Sequence, residues 1–278
     1  MKTLYITDLD GTFLNSNAEI TETSAEIINN LIADGVLFSV ASARTKATVL
    51  DLFKNISLNT PICLMNGVMI FDIASNKNVL THNIDKSVAS RILDIYKKHG
   101  KHPMLYMNKG DYLEIHYTVI DNPHQQEYIS NRKNKKLKKF CKVDSYNLSN
   151  DDELIYIVSF DKPSELEDIY KEISVFSEVT SSFYADNYTE CNFLETMNGS
   201  VSKGTSATEI KLLTGADKIV AFGDNLNDIP LFSVADECYA VSNAHKDLKK
   251  IATGIIDSND EDAVARFILN HYKNYNGD

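Results

Sequence analysis

Cysteine is scarce in this 278-residue chain: only Cys63, Cys141, Cys191 and Cys238 are present, widely spaced and with no Cys-x-x-Cys pair. Neither a zinc site nor a disulfide framework is indicated, and reduced thiols are expected. No apolar stretch approaches the roughly 20 residues that a membrane span requires. Asp8 and Asp10 interrupt any apolar region near the start, so no signal peptide is read there and a cytoplasmic protein is expected. Basic residues are outnumbered, 28 Lys and Arg against 39 Asp and Glu, giving a net charge of −11. That balance argues against general nucleic-acid binding, which relies on basic surface to neutralise phosphates. What the chain does have is length and apolar content. With 278 residues, 43% of them hydrophobic, it is long enough for a sizeable core and for two domains.

The most informative segment is the opening. An apolar run, Leu4-Tyr5-Ile6-Thr7, delivers Asp8 and Asp10 and is followed at once by Gly11-Thr12. A buried strand ending in two carboxylates and a glycine turn places anionic oxygens at the carboxyl edge of a sheet, where open α/β folds bind their ligands. Two ionised carboxylates about 4 Å apart repel by about 1 to 4 kcal/mol at effective dielectrics of about 80 to 20. The pair is tolerable if a cation sits between them or if one stays protonated. The plain alternative is a strand end and a turn, since aspartate and glycine are common turn residues. An EF-hand loop does not fit, because its glycine follows a third aspartate position and not the second.

A second acidic cluster repeats the pattern. The run Ile219-Val220-Ala221-Phe222 leads into Gly223-Asp224-Asn225-Leu226-Asn227-Asp228. If the two strands are neighbours in one parallel sheet, Asp8, Asp10 and Asp224 converge on one point, with Asp228 as a further candidate. Hard oxygen ligands in that number suit Mg2+, which commonly shares its shell with waters and a substrate phosphate.

Asp8-Leu9-Asp10-Gly11-Thr12, Ser42-Ala43-Arg44 after Leu37-Phe38-Ser39-Val40-Ala41, Ser202-Lys203-Gly204, and Gly223-Asp224-Asn225-Leu226-Asn227-Asp228 resemble the four ordered motifs of the haloacid dehalogenase-like (HAD superfamily) phosphatases. Asn66-Gly67 after Pro61-Ile62-Cys63-Leu64-Met65 resembles a recurrent piece of the Cof-type branch. The chain departs from that branch at Ala43, where a Thr-Gly-Arg run is more usual. The resemblance implies a Mg2+-dependent phosphatase in which Asp8 is the nucleophile and Asp10 the general acid and base. It implies metal contact through Asp8, Asp10 (by its main-chain carbonyl) and Asp224, with Asp228 a direct or outer partner. Ser42, Lys203 and Asn227 would hold the phosphoryl group, and Arg44 and Asn66 are candidate substrate or cap contacts. Dull readings stand beside these: Ser42 as the cap of a helix beginning near Thr45, and Lys203 as a solvated lysine. A lysine in a first helical turn is opposed by the helix dipole, so Lys203 wants an anionic partner.

Both ends of the chain alternate strands with helices. Thr23-Ser24-Ala25-Glu26 reads as a capping box, and the rhythm predicts an α/β fold with a doubly wound, Rossmann-like parallel sheet. Residues 1–82 and 193–278 are assigned to this catalytic core. Residues 83–192 read as paired alternating strands backed by helices, an inserted α+β domain. Its position resembles the type-IIB cap of Cof-type phosphatases, which the resemblance makes responsible for substrate specificity. Within it the basic block Asn131-Arg132-Lys133-Asn134-Lys135-Lys136-Leu137-Lys138-Lys139 is a solvated helix face or loop, or else an attractor of phosphorylated substrates. The expected partner is a small phosphorylated metabolite, a sugar phosphate first, with no nucleic acid and no membrane, acting on a monomer or weak homo-oligomer. A phosphotransferase or mutase using the same intermediate, and a non-catalytic binding protein on the same fold, remain alternatives.

Overall fold

In this computed structural model, residues 2–132, 137–149, 151–186 and 189–276 are described. They fall into two compact units, one formed by Met1–Leu80 with Ser202–Asp278 and the other by Thr81–Val201. The first unit begins with β1 (Thr3–Thr7), a tight turn at Leu9–Phe13, α1 (Glu22–Ala33), β2 (Leu37–Val40), α2 (Lys46–Leu52), β3 (Ile62–Leu64), β4 (Met69–Asp72) and β5 (Lys77–Thr81). The second unit holds α3 (Lys86–Lys98), β6 (Met104–Asn108), β7 (Leu113–Tyr117), α4 (Pro123–Arg132), β8 (Lys138–Lys142), β9 (Glu153–Asp161), α5 (Pro163–Ile173), β10 (Val179–Ala185) and β11 (Asn192–Asn198). The chain then returns with α6 (Lys203–Thr214), β12 (Lys218–Gly223), α7 (Ile229–Val234), β13 (Glu237–Val241), α8 (Lys246–Ile251), β14 (Gly254–Ile256) and α9 (Ala263–Asn276).

The main sheet of the first unit is parallel, in the order β14-β13-β12-β1-β2. Leu4, Ile6, Val220, Ala221, Phe222 and Val40 are fully buried, as near-continuous apolar runs are in a sheet covered on both faces. The decisive feature is the place of β1. The chain first winds outward to β2 and later returns on the other side to β12, so the winding reverses beside β1, and ligands of open α/β sheets bind where it reverses. β12 lies directly against β1, with Thr7 opposite Phe222. The two acidic motifs therefore leave the same edge on adjacent strands.

Several local expectations are corrected. The cap of α1 is Thr21, whose side chain accepts the Ser24 amide at 3.0 Å, while Thr23 and Glu26 lie inside the helix. Pairing of β4 and β5 with β3 in a three-stranded sheet was not read from the sequence. Neither was β14, a three-residue strand.

The second unit is a six-stranded sheet in the order β10-β11-β9-β6-β7-β8. Val88, Ile92 and Tyr96 of α3 and Leu166, Ile169 and Ile173 of α5 recur at helical spacing and pack with Leu105, Met107, Leu154, Ile157 and Leu194 of the sheet. Each such buried side chain contributes about 1.5 to 3 kcal/mol. This unit runs on to Val201, past the expected 192, because β11 pairs with β9 and β10. Of the basic block, Lys133–Lys136 lie outside the described residues, and Lys138 and Lys139 belong to a strand, β8, not to a helix or loop.

Candidate active site

Asp8 follows β1 directly, and its amide donates to the Phe222 carbonyl at 3.0 Å, extending the β1–β12 ladder by one residue. Its side chain is buried and meets the Lys203 ammonium, with Nζ 2.6 Å from Asp8 Oδ1 and 2.7 Å from Asp228 Oδ1. The solvated-lysine reading is thereby excluded, since the Lys203 side chain is 0% exposed. Ser202 caps α6: its hydroxyl accepts the Thr205 amide at 3.1 Å and Thr205 Oγ1 accepts the Ser202 amide at 2.9 Å. That cap fixes Lys203 in the first turn, and the two carboxylates supply the anionic partners that the helix dipole requires there.

The acidic set is held by its glycines and loop amides. Gly11 has φ +75°, and a Cβ there would lie 2.6 Å from Asp224 Oδ2, so only glycine lets the first motif approach the second so closely. Thr12 Oγ1 donates to Asp224 Oδ1 at 3.1 Å. Asp228 is fully buried: Oδ2 accepts the amides of Asp224 and Asn225, both at 3.0 Å, and Oδ1 takes Lys203. With every oxygen occupied, Asp228 organises the loop and Lys203.

Charge does not balance here. Asp8, Asp224 and Asp228 each offer an oxygen atom within 4.8 Å of the others, and Lys203 contacts two of them, Asp8 and Asp228. Burial pushes the Asp8 carboxyl well above the ordinary carboxylate range; Lys203 opposes the rise, while Asp228 and Asp224 add to it. Asp224 is likewise pushed up, by burial and then by Asp228. Burial works to lower Lys203, but Asp8 and Asp228 outweigh it and hold the amine protonated. One ammonium cannot compensate three crowded carboxylates, so the metal-free site retains protons that a divalent ion would displace. The donors are all hard oxygens, so the set fits a magnesium-like ion.

The remaining predicted residues are near the same edge with different roles. Ser42 is buried and its hydroxyl accepts the Arg44 amide at 3.1 Å; α2 starts after Thr45 instead, so Ser42 is not a helix cap. Arg44, expected as a substrate or cap contact, grips Asp10 through two hydrogen bonds. Asn227 is exposed and donates through Nδ2 to Asn66 Oδ1 at 3.4 Å. Two supports escaped sequence reasoning: Asn243, whose amide holds the Gly11 carbonyl at 2.8 Å, and Thr7, whose hydroxyl donates to the Asp8 carbonyl at 2.7 Å. Neither lies in a motif, and only the folded chain brings Asn243 to Gly11.

An acidic, lysine-bridged centre at the reversal point of a parallel sheet defines the class, an α/β enzyme. A family model described as haloacid dehalogenase-like hydrolase matches residues 5–268. The chain belongs to that family. A Buchnera aphidicola protein named "Putative phosphatase BU028/BU029" is 30% identical over 270 residues, covering 93% of this chain and 92% of its own. The Bacillus subtilis 5-amino-6-(5-phospho-D-ribitylamino)uracil phosphatase YwtE is 24% identical over 286 residues, 94% of this chain and 95% of that protein. A solved haloacid dehalogenase-like hydrolase from Bacteroides thetaiotaomicron superposes with a TM-score of 0.76 at 21% identity, over 98% of this chain and 100% of that one. These findings agree with the enzyme class expected from the motifs, a phosphoric monoester hydrolase. Among the described residues, no helix is long and apolar enough to cross a membrane.

Proposed function

We propose that this chain hydrolyses a small phosphorylated metabolite, a sugar or sugar-alcohol phosphate, by way of an aspartyl-phosphate on Asp8, with Mg2+ as cofactor. The observation that carries the reading is the contact of Lys203 with both Asp8 and Asp228, at 2.6 and 2.7 Å, beside Asp224. A buried carboxylate so flanked is oriented for in-line attack at phosphorus, and Lys203 stands ready to neutralise a phosphoryl oxygen. The substrate for which the Bacillus relative is named carries a phospho-D-ribityl group, which supports a polyol phosphate.

Asp8 Oδ attacks phosphorus as the P–O bond to the alcohol breaks, and Asp10 supplies the proton to the departing oxygen. Water then attacks the aspartyl-phosphate, Asp10 takes its proton, and Asp8 is regenerated with release of inorganic phosphate. Ser42 and Asn227 donate hydrogen bonds to the equatorial oxygens. Asp8, Asp224 and the main chain at Asp10 would hold the magnesium ion, which supplies charge neutralisation for the phosphoryl group. The second unit, Thr81–Val201, selects the leaving group in this reading.

The test is phosphate release from a panel of sugar phosphates, nucleotides and an aryl phosphate, with magnesium or chelator. Magnesium-dependent turnover that disappears in Asp8→Asn supports the proposal. Turnover that survives Asp8→Asn, or that is unchanged by chelator, overturns it.

A further inference from the structure

The main sheet sends two asparagines to the turn that carries Asp10. Asn243 follows β13 and Asn259 follows β14, neighbouring parallel strands, so both loops leave the carboxyl edge where β1 delivers Asp8 and Asp10. Asn243 Nδ2 donates to the Gly11 carbonyl at 2.8 Å, and Asn259 Nδ2 donates to the Leu14 carbonyl at 2.9 Å. The two are joined, because the Asn259 amide donates to Asn243 Oδ1 at 3.2 Å. Asn259 is itself placed by the reciprocal cap at Ser258 and Glu261.

The turn needs an outside hold. Asp10 at φ −71°, ψ 119° and Gly11 at φ 75°, ψ 1° match the two central residues of a type II turn, which requires a positive φ at the second of them. Glycine meets that requirement, but it populates either sign of φ with nearly equal ease. Gly11 therefore admits the turn without keeping it in one form. The Leu14 amide closes the turn on the Leu9 carbonyl at 2.9 Å, Thr12 ties it to Asp224, and Arg44 pairs with the Asp10 carboxylate. The bond to the glycine itself comes from Asn243. A carboxamide suits the place, since it donates to one carbonyl and accepts one amide at the same time.

We infer that Asn243 is a positioning residue for Asp10: through the Gly11 carbonyl, and backed by Asn259, it holds the turn in the form that aims the Asp10 carboxyl. The inference rests on the acid role proposed for Asp10 and adds to it a hold supplied by loops that carry none of the acidic motifs.

The test is Asn243→Ala. Asn243 is exposed, so the substitution removes the amide and opens no cavity. Amide hydrogen exchange at Leu14 is compared with that at Asp8, whose amide bonds the Phe222 carbonyl outside the turn. Leu14 is expected to exchange about five- to tenfold faster than in the parent, the equilibrium worth of one hydrogen bond, with Asp8 at the parental rate. An alkyl phosphate is expected to lose a like factor in kcat at unchanged KM, while an aryl phosphate, which leaves without a proton, keeps its kcat within about twofold. Equal acceleration of Leu14 and Asp8, or equal loss on both substrates, marks a merely structural role and overturns the inference, and so does an unchanged Leu14 rate. Should Asn243→Ala fail to fold, Asn259→Ala, which releases the Leu14 carbonyl and leaves Asn243 on Gly11, decides by the same readings, each change being smaller and in the same direction. Exchange needs no turnover, which separates the two possible failures. If Asp10→Asn lowers alkyl and aryl turnover alike, the acid role of Asp10 falls, and Leu14 exchange still decides whether Asn243 holds the turn.

Discussion

Arg44 holds Asp10 by both ends of its carboxylate, Nε to Oδ2 at 2.8 Å and Nη2 to Oδ1 at 2.5 Å. Such a two-point pairing fixes direction as well as distance, which a lysine cannot reproduce. In the proposed reaction Asp10 protonates the departing alcohol, so Arg44 has to give up one carboxyl oxygen to that proton and fixes its aim through the other. Arg44→Lys and Arg44→Ala are expected to lower kcat for alkyl phosphates by about 10- to 100-fold, part of the range general acid catalysis supplies. An aryl phosphate leaves well without a proton and should be affected far less. Equal losses on both substrate types would assign Arg44 to phosphate binding.

Among the described residues, Lys203 is the single cation that contacts both Asp8 and Asp228 at the buried acidic centre. Removing one member of a buried charge cluster leaves the others uncompensated, at a cost of about 3 to 5 kcal/mol. Lys203→Met should therefore lose that much stability in urea titrations as well as its turnover. Added magnesium should recover part of the stability and none of the turnover. A variant as stable as the parent would show that the carboxylates are not ionised together.

Much of this centre was legible in the sequence, and the reason is local. Strand, carboxylate and glycine turn are contiguous at Asp8-Leu9-Asp10-Gly11 and at Gly223-Asp224, so the motif carries its own geometry. The parallel sheet followed from the alternation of elements around it. Lys203 could be argued from the helix dipole alone. Arg44 could not be assigned to Asp10, because a flexible side chain chooses its partner only once two loops 34 positions apart are brought together. Asn243 on Gly11 spans 232 positions and belongs to no pattern. In the second unit, β8 escaped because its lysines read as a solvated run, whereas strand pairing with β7 orders them.

Stability of the metal-free protein should fall as pH rises. Asp8 is raised from 3.8 to about 8 and Asp224 is raised too, so between those values the folded state binds more protons than the unfolded one. The stability that this protonation carries is complete below about 4 and is lost toward pH 8. Lys203, raised above its ordinary value, stays charged throughout and adds no slope there. Magnesium competes with those protons. Its stabilising effect on Tm should be larger at pH 8 than at pH 5.5, reaching about 2.7 kcal/mol when the ion is at 100 times its Kd. Differential scanning fluorimetry with chelator or magnesium at the two pH values measures this. An equal shift at both would place the ion away from Asp8 and Asp224.

The turn after β3 stores strain beside the site. Met65 and Asn66 both adopt left-handed backbone, with φ of 53° and 55°, before Gly67 at 111°. The Met65 amide is tied to the Arg44 carbonyl at 3.1 Å and the Asn66 amide to the Ser42 carbonyl at 3.0 Å, so the turn clamps the loop that carries Ser42, the serine proposed to bind phosphate. A glycine adopts this conformation freely, whereas a residue with a Cβ does so at a cost. What Asn66 adds is its amide oxygen, which accepts from Asn227 at 3.4 Å. Asn66→Gly should accordingly raise stability by up to about 1 kcal/mol. It should also raise KM for a phosphorylated substrate by about two- to tenfold, the worth of one hydrogen bond, with kcat changed less. Urea titration and steady-state kinetics on the same preparation separate the two effects. A variant both less stable and unaltered in KM would mean that the side chain serves the turn itself and does not position Asn227.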